Sequence, residues 1–313
     1  GTGGYLDVDM GDHIRRVGVT RVHMEEDTGK LVHTGETGRI SESEASIVDF
    51  NRAGTPLIEI VTEPDIRSPE EAKQYMIDLR NLILYLDVSD CSMEEGSLRC
   101  DANVSVRKEG EDKIGTKTEI KNLNSFKFLQ KGLEYEVRRQ VKVLEDGGDV
   151  VQQTRHYDSR TETTKPLRFK EEAHDYRYFP EPDLVPMYME ERIVEDIKKT
   201  IPELPSVKIK RFKKQYNLSG YDSGFMASSR DLADYFEECC KCYGDPKNIA
   251  NWIMGDFSAL INRENITINE SKITPDKLCS MLKAIDEGKI SSKIAKSVFE
   301  EMFGTGKDPD SII

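Results

Sequence analysis

Residues 97–107, SLRCDANVSVR, alternate without a break: Leu98, Cys100, Ala102, Val104 and Val106 fall on one parity, and Arg99, Asp101, Asn103, Ser105 and Arg107 on the other. Successive side chains of a strand point to opposite faces, so this stretch predicts a β-strand with one apolar and one wholly polar face. Two adjacent acids, Glu94 and Glu95, stand directly upstream, followed by Gly96. The polar parity is either solvated or lines a place where charged chemistry occurs.

The same period recurs outward from this stretch. EDK (111–113) marks a turn into a second polar-faced strand, GTKTEIKN (115–122), while HIRRVGVTRVHMEED (13–27) and TPLIEIVTEP (55–64) read as strands separated by a polar loop. Further strands are expected over 150–158 and 166–169. Two stretches switch to helical spacing. In SPEEAKQYMIDLRNLILYLD (68–87), Ser68 is placed as N-cap, Pro69 at the first helical position and Glu71 as the completing member of a capping box. Ala72, Tyr75, Met76, Leu79, Leu82, Ile83 and Leu86 form its apolar stripe. A second helix over 125–145 carries Phe126, Leu129, Leu133, Val137, Val141 and Leu144 on one side, and DGGD (146–149) stops it. The first half is therefore α+β, with a mostly antiparallel sheet pattern.

Five prolines punctuate residues 175–205, which marks a boundary. Helical patterns follow at 206–216, 228–243, 246–263, 274–287 and 290–303. A chain of 313 residues suits two domains better than one. With 37% hydrophobic and 33% charged residues and no apolar run near the ~20 needed to cross a bilayer, it reads as soluble, with no membrane segment. The net charge of -13 argues against a simple nucleic-acid coat but leaves room for a local patch. The six cysteines lack the spacing of a disulfide framework or a zinc ribbon, which fits a reducing, intracellular setting, cytoplasmic or organellar, and structural thiols in CCKC (239–242).

Several acids fall at strand ends. Glu59 sits between Ile58 and Ile60 and shares a parity with Leu57 and Val61, so a partner must compensate its charge: an arginine, or a metal. His23, Glu25, Glu26 and Asp27 crowd the end of another strand, either as a solvated acidic turn or as inward-aimed ligands. Mg2+ needs only one or two carboxylates beside phosphate oxygens and water, and Arg99, Lys117 and Lys121 could contact anions, so these groups suit phosphoryl transfer. The chain has no G-x-x-x-x-G-K-[ST], no G-x-G-x-x-G and no G-x-S-x-G. One basic stripe, Lys208, Lys210, Arg211, Lys213 and Lys214, is either an RNA contact or a solvated helix face.

Longer motifs then carry a resemblance. VDFNRAGTPLIEIVTEPDIRSPEEA (48–72), CSMEEGSLRCDANVSVR (91–107), GTKTEIKNLNSFKFLQKGLEYEVRRQ (115–140), DYRYFPEPDLVP (175–186) and SSKIAKSVFEEM (291–302) closely resemble the B-subunit family of the aspartyl/glutamyl-tRNA amidotransferases, over essentially the whole chain. The resemblance implies a cradle-shaped α+β catalytic domain over 1–188 and a helical domain over 189–313 that leads into a small tail. It implies two protein partners: the amidase, or A, subunit that releases ammonia from glutamine, and the small, or C, subunit that braces the pair. It implies ATP and Mg2+ for phosphorylating the side-chain carboxylate of Glu-tRNA(Gln) or Asp-tRNA(Asn), with channelled ammonia then displacing the phosphate.

On the same grounds, His23, Glu25, Glu26 and Glu59 are expected at the metal. Glu94, Glu95, Arg99, Asp101, Asn103 and Lys121 are expected in the catalytic cavity, and Asn122, Asn124, Arg177, Tyr178 and Glu181 at the nucleotide or aminoacyl group. The family's opening G-L-E-V-H strand and its C-terminal tail have no counterpart here, so an incomplete site, inactive alone, is expected. Two rival readings are an RNA-binding scaffold whose polar faces are structural, and a free-standing carboxylate-amine ligase acting on a small molecule.

Overall fold

The computed structural model describes residues 1–33, 45–168 and 188–313. They divide into two compact units, Gly1–Leu79 with Met93–His174, and Arg80–Ser92 with Asp175–Ile313. The architecture is α+β: antiparallel sheets dominate the first part of the chain and helices the second.

In the first unit, β1 (Thr2–Asp9), β2 (Ile14–Glu26), β3 (Lys30–His33), β4 (Ser46–Asp49) and β5 (Pro56–Thr62) build two antiparallel sheets, β1-β2-β5 and β3-β4. Helix α1 (Pro69–Tyr85) follows, its first turn closed by the Ser68 hydroxyl, which accepts from the Glu71 N–H at 3.1 Å. The capping box differs from the expected one. The Glu71 carboxylate reaches past Ser68 to the Arg67 N–H at 2.6 Å, and also holds Arg15 at 3.0 Å and His13 at 3.1 Å. A buried cap acid thereby ties the helix start to β2.

A third sheet of this unit contains β6 (Ala102–Val104), β7 (Thr118–Lys121), β8 (Gln153–Asp158) and β9 (Thr163–Arg168) in that order. Its β7–β8 pair is parallel, because α2 (Phe126–Glu145) carries the chain back between them, and the flanking pairs are antiparallel. The expected long strand over 97–107 pairs over only three residues, yet its alternation persists. Ser97, Arg99, Asp101 and Asn103 are exposed, and Leu98, Cys100, Ala102 and Val104 pack on the core of Val8, Val17, Ile120, Leu129 and Tyr157. At Gly115 a Cβ would stand 2.2 Å from the Val106 carbonyl oxygen, so only glycine lets the chain pass here.

The buried side of α2 departs from the expected stripe. Leu129 and Leu133 lie inside, but Val141 and Leu144 are exposed, and Glu136 and Gln140 take the interior positions at 0% exposure. Glu136 accepts from Arg139 (2.5 Å), Gln140 (3.1 Å) and Thr164 (2.8 Å), and Arg155 stands 3.4 Å away. Gln140 donates to the Val104 carbonyl (3.1 Å) and the Thr118 hydroxyl (3.2 Å). A polar network, not an apolar stripe, fastens this end of α2 to the sheet.

The second unit is helical: α3 (Glu191–Thr200), α4 (Pro205–Gln215), α5 (Gly220–Met226), α6 (Arg230–Cys242), α7 (Pro246–Trp252), α8 (Ser258–Glu264), α9 (Pro275–Asp286) and α10 (Ser292–Thr305). α7 runs into α8 through a π-turn over Ile253–Phe257, so the expected helix over 246–263 exists with a wider turn inside it. α3 and α5 were not expected. Ser219, Ser229, Thr274 and Ser291 cap α5, α6, α9 and α10. The interior is aromatic: Phe299 lies 5.4 Å from Trp252 and 5.6 Å from Phe257, ring centroid to centroid. The cysteine expectation is corrected here. Cys242 and Cys279 form a disulfide between α6 and α9, a neighbourhood that the spacing of the six cysteines does not reveal.

Candidate active site

Three site features arise in the first unit. On β2 and β5 the antiparallel register places His23 opposite Glu59 and Glu26 opposite Pro56. Directly opposed residues share a face, so Arg21, His23, Glu25 and Glu59 lie together, while Glu26 joins Val22, Met24 and Ile58 on the other side. His23 Nε2 is 3.3 Å from Glu59 Oε2 and 3.6 Å from Glu25 Oε2, and Arg21 donates to the same Glu59 oxygen at 3.0 Å. Glu59 is exposed rather than embedded, and the arginine is its compensation. Among the described residues, no group of three His, Cys, Asp or Glu side chains is arranged to enclose a metal.

A hollow of about 330 Å³ opens beside the 97–107 stretch. Glu94, Glu95, Arg99, Asp101, Asn122 and Asn124 line it, together with Met93, Gly96, Leu98, Cys100 and Leu123. Six of the residues expected in the site therefore share one cavity. Asn122 adopts a φ of 67°, a left-handed conformation that Asn tolerates, and its side chain donates to the Tyr157 carbonyl at 3.0 Å and accepts from Asn124 at 3.1 Å. Lys121 pairs with Asp101 at 2.6 Å and with Glu119 at 3.5 Å. Partial burial opposes its charge, but these carboxylates outweigh it and raise the ammonium pKa. Burial and the neighbouring Asp101 charge push the Cys100 thiol up to about 12, so it is no nucleophile at neutral pH. Asn103 lines a separate hollow of about 160 Å³ with Lys117, Glu119, Gln152, Gln153 and Thr154.

The third feature joins the first two. One residue past the end of β2, Asp27 holds Arg99 Nη2 at 2.8 Å and Arg52 Nε at 3.1 Å on a single carboxylate oxygen. Both guanidinium groups also donate to the Gly96 carbonyl, Arg52 at 3.2 Å and Arg99 at 3.4 Å. Desolvation opposes ionisation of Asp27, yet the charges of Arg99 and Arg52 and the hydrogen bonds from Arg99 and Thr28 hold its carboxyl below the usual range. Arg52 had no sequence signal of its own. Asp27 had one, since it continues the parity of His23 and Glu25.

In the second unit the basic stripe is largely consumed by structure. Lys208 is buried against Asp234 (3.4 Å) and Glu237 (3.1 Å), and Arg211 is held by Glu203 and Glu237, each at 2.6 Å. Lys210, Lys213 and Lys214 are exposed. Arg177, Tyr178 and Glu181 lie outside the described residues.

Comparison with known proteins adds a second line of observation. Residues 1–195 match the family model described as the GatB/GatE catalytic domain, and residues 234–313 match the one described as the GatB domain. A protein from Carboxydothermus hydrogenoformans, named as the B subunit of an aspartyl/glutamyl-tRNA(Asn/Gln) amidotransferase, is 53% identical over 310 residues, which is 99% of this chain and 64% of that protein. Identically named proteins from Moorella thermoacetica and Brevibacillus brevis are 52% identical over 312 residues and 50% over 313, covering 65% and 64% of their lengths. The chain thus spans a little under two thirds of these relatives.

Proposed function

The chain belongs to the GatB/GatE family, and from that premise we propose that it forms the part of an amidotransferase B subunit that receives a carboxylate carried on tRNA and activates it for amidation. The observation that carries this reading is the gathering of Glu94, Glu95, Arg99, Asp101, Asn122 and Asn124 around one hollow. The substrates proposed are Glu-tRNA(Gln) and Asp-tRNA(Asn). The protein partners proposed are the amidase, which delivers ammonia, and the small third member of the same complex, in the cytoplasm.

The chemistry brings two anions together, so the site must supply positive charge and fixed donors before the reacting groups meet. Arg99 offers a planar fork to an anionic oxygen at the lip of the hollow. Lys121, kept protonated by Asp101 and Glu119, adds a second positive centre on the adjoining strand. The locked Asn122–Asn124 pair presents amide groups to neutral polar atoms without adding charge. Glu25 and Glu59 are oxygen donors on one face, which fits Mg2+ since that ion keeps much of its water. His23 fits it less well, being a nitrogen donor. When bound, ATP would supply the phosphoryl group and Mg2+ would neutralise its charge.

The test uses the full-length B subunit in complex with its partners. Glu94→Gln and Arg99→Gln should each lower ATP-dependent formation of amidated tRNA by about 100-fold, the scale of losing one fixed charged contact. Ammonia release by the amidase, measured separately, should persist. Unchanged amidation in both variants would exclude this hollow as the site. Tight tRNA binding lost only on neutralising Lys210, Lys213 and Lys214 would favour the scaffold reading instead.

A further inference from the structure

We propose that Asp27 and Arg52 act as positioning residues that fix the Gly96 turn and the Arg99 guanidinium for an anionic oxygen of the substrate. This rests on the proposed function of the hollow. Neither residue lines that hollow, yet both hold parts that do.

The geometry is that of a bracket. The Asp27 backbone is itself fixed, its N–H donating to the Thr55 carbonyl and its own carbonyl accepting from the Gly54 N–H, each at 2.9 Å. Its carboxylate therefore occupies a set place at the end of the β2–β5 ladder, with only 13% of the side chain exposed. From that place a single oxygen holds two guanidinium groups, and both of these close on one carbonyl, that of Gly96. Gly96 turns with a φ of 77°, and a Cβ there would stand 3.3 Å from Arg52 Nη1. The turn thus needs glycine for its backbone conformation, and Arg52 packs close against it. Glu94 and Glu95 enter the hollow immediately before that turn, and Arg99 three residues after it.

Charge points the same way. Among the described residues, two guanidinium groups share the one Asp27 carboxylate, so the three groups together carry a net positive charge. Arg99 spends Nη2 on Asp27 and Nε on Gly96, which restrains its plane while the side chain stays 58% exposed at the lip. A restrained, accessible guanidinium costs little further ordering when it meets an oxyanion. The oxygen it meets belongs either to a nucleotide phosphate or to the tRNA-borne carboxylate.

Asp27→Asn, Arg52→Gln, Arg52→Lys and Asp27→Glu, each in the assembled full-length enzyme, separate these possibilities. Two quantities decide: the KM values for ATP and for aminoacyl-tRNA with kcat, and amide hydrogen exchange over residues 94–101. We expect Asp27→Asn and Arg52→Gln to raise one of the two KM values by about 10- to 100-fold, with a smaller effect on kcat, and to loosen exchange at the Gly96 turn. The substrate whose KM rises identifies the anion. Arg52→Lys, which keeps the charge and loses the fork, should fall between wild type and Arg52→Gln, and Asp27→Glu should recover most of the loss. Faster exchange with an unchanged KM would make the bracket merely structural and overturn the proposal, as would a raised KM with unchanged exchange. If both are unchanged while Arg99→Gln still lowers amidation as expected, the bracket fails and the site stands. If Arg99→Gln and Glu94→Gln are silent too, the site itself is wrong.

Discussion

The interiors of the two units are held in different ways. Around Phe299 in the helical unit, Trp252 and Phe257 meet ring against ring, and α4 to α10 present apolar side chains to a common core. Around Glu136 in the sheet unit, a carboxylate at 0% exposure collects donors from Arg139, Gln140 and Thr164 beside Arg155. Apolar burial is non-directional and tolerates exchange of one shape for another, whereas a buried charge tolerates only its own partners. The difference suits their work. The polar network fixes α2 against strands whose neighbouring residues build the candidate site, and it specifies orientation where packing alone would leave slack.

The largest expected effects test this contrast directly. Glu136→Ala takes the carboxylate away from the buried Arg155, which keeps its hydrogen bonds to Thr164, and should cost about 3–5 kcal/mol. Phe299→Ala should cost a similar ~3–5 kcal/mol through cavity formation. The regions part company on apolar replacement: Phe299→Leu should recover most of the loss, to within about 1.5 kcal/mol of wild type, while Glu136→Leu should recover little. Urea unfolding followed by circular dichroism measures these values, and Trp252, the chain's one tryptophan, reports the helical core by fluorescence. A Glu136→Leu variant as stable as wild type would break the comparison.

A second test concerns Glu71, where the sheet unit again places a carboxylate where packing would suffice. Glu71→Ala strands the Arg67 N–H and should cost about 1–3 kcal/mol. Its pH dependence has two sides. Burial works against the Glu71 charge, but the Arg67 N–H, His13 and Arg15 prevail and lower its pKa from 4.5, so its contribution is present above 4.5 and is lost as pH falls through the lowered value. Hydrogen bonding to Glu71 and then Asp12 raises His13 from 6.5, so its contribution is complete below 6.5 and disappears as pH rises through the raised value. Thermal unfolding of wild type and His13→Gln should therefore differ most between these two ranges and converge at alkaline pH.

How far such features could be read in advance depended on their range. The alternation over 97–104 was legible because a strand's two faces follow from local geometry, and the burial pattern keeps that parity even where no ladder forms. The helices expected over 125–145, 228–243 and 290–303 were legible for the same reason, since helical spacing is local, and the structure caps them with Ser125, Ser229 and Ser291. What failed was long-range. Val141 and Leu144 matched the helical period as well as Gln140 did, and the local donors Arg139 and Gln140 are joined at the buried Glu136 by Thr164 and Arg155 from strands far along the chain. The Cys242–Cys279 bridge and the Arg52–Asp27–Arg99 bracket are of the same kind. Of the candidate site, the residues near Arg99 were found by pattern and family likeness together. Glu26, expected at the metal on family likeness, lies on the strand face opposite to Glu25 and Glu59, because adjacent strand residues face opposite ways.

The smallest predicted effect sharpens the comparison by removing the interior from it. Ser125→Ala in the sheet unit and Ser291→Ala in the helical unit each delete one helix cap, at about 1 kcal/mol apiece. Equal losses by urea titration would place the contrast between the units in their cores and not in their helices.

The parallel pairing of β7 with β8 has a consequence for how the molecule comes into being. Glu119 accepts from the Thr154 hydroxyl at 2.6 Å across that pair, and Lys121 leans on Glu119. A hairpin could assemble such a wall as soon as both strands left the ribosome. Here all of α2 must be made, folded and laid across first, and loop closure of that length is slow. Chemistry at Lys121 therefore waits until α2 and β8 have both been made, and α2 has its Ser125 cap before Lys121 has its wall.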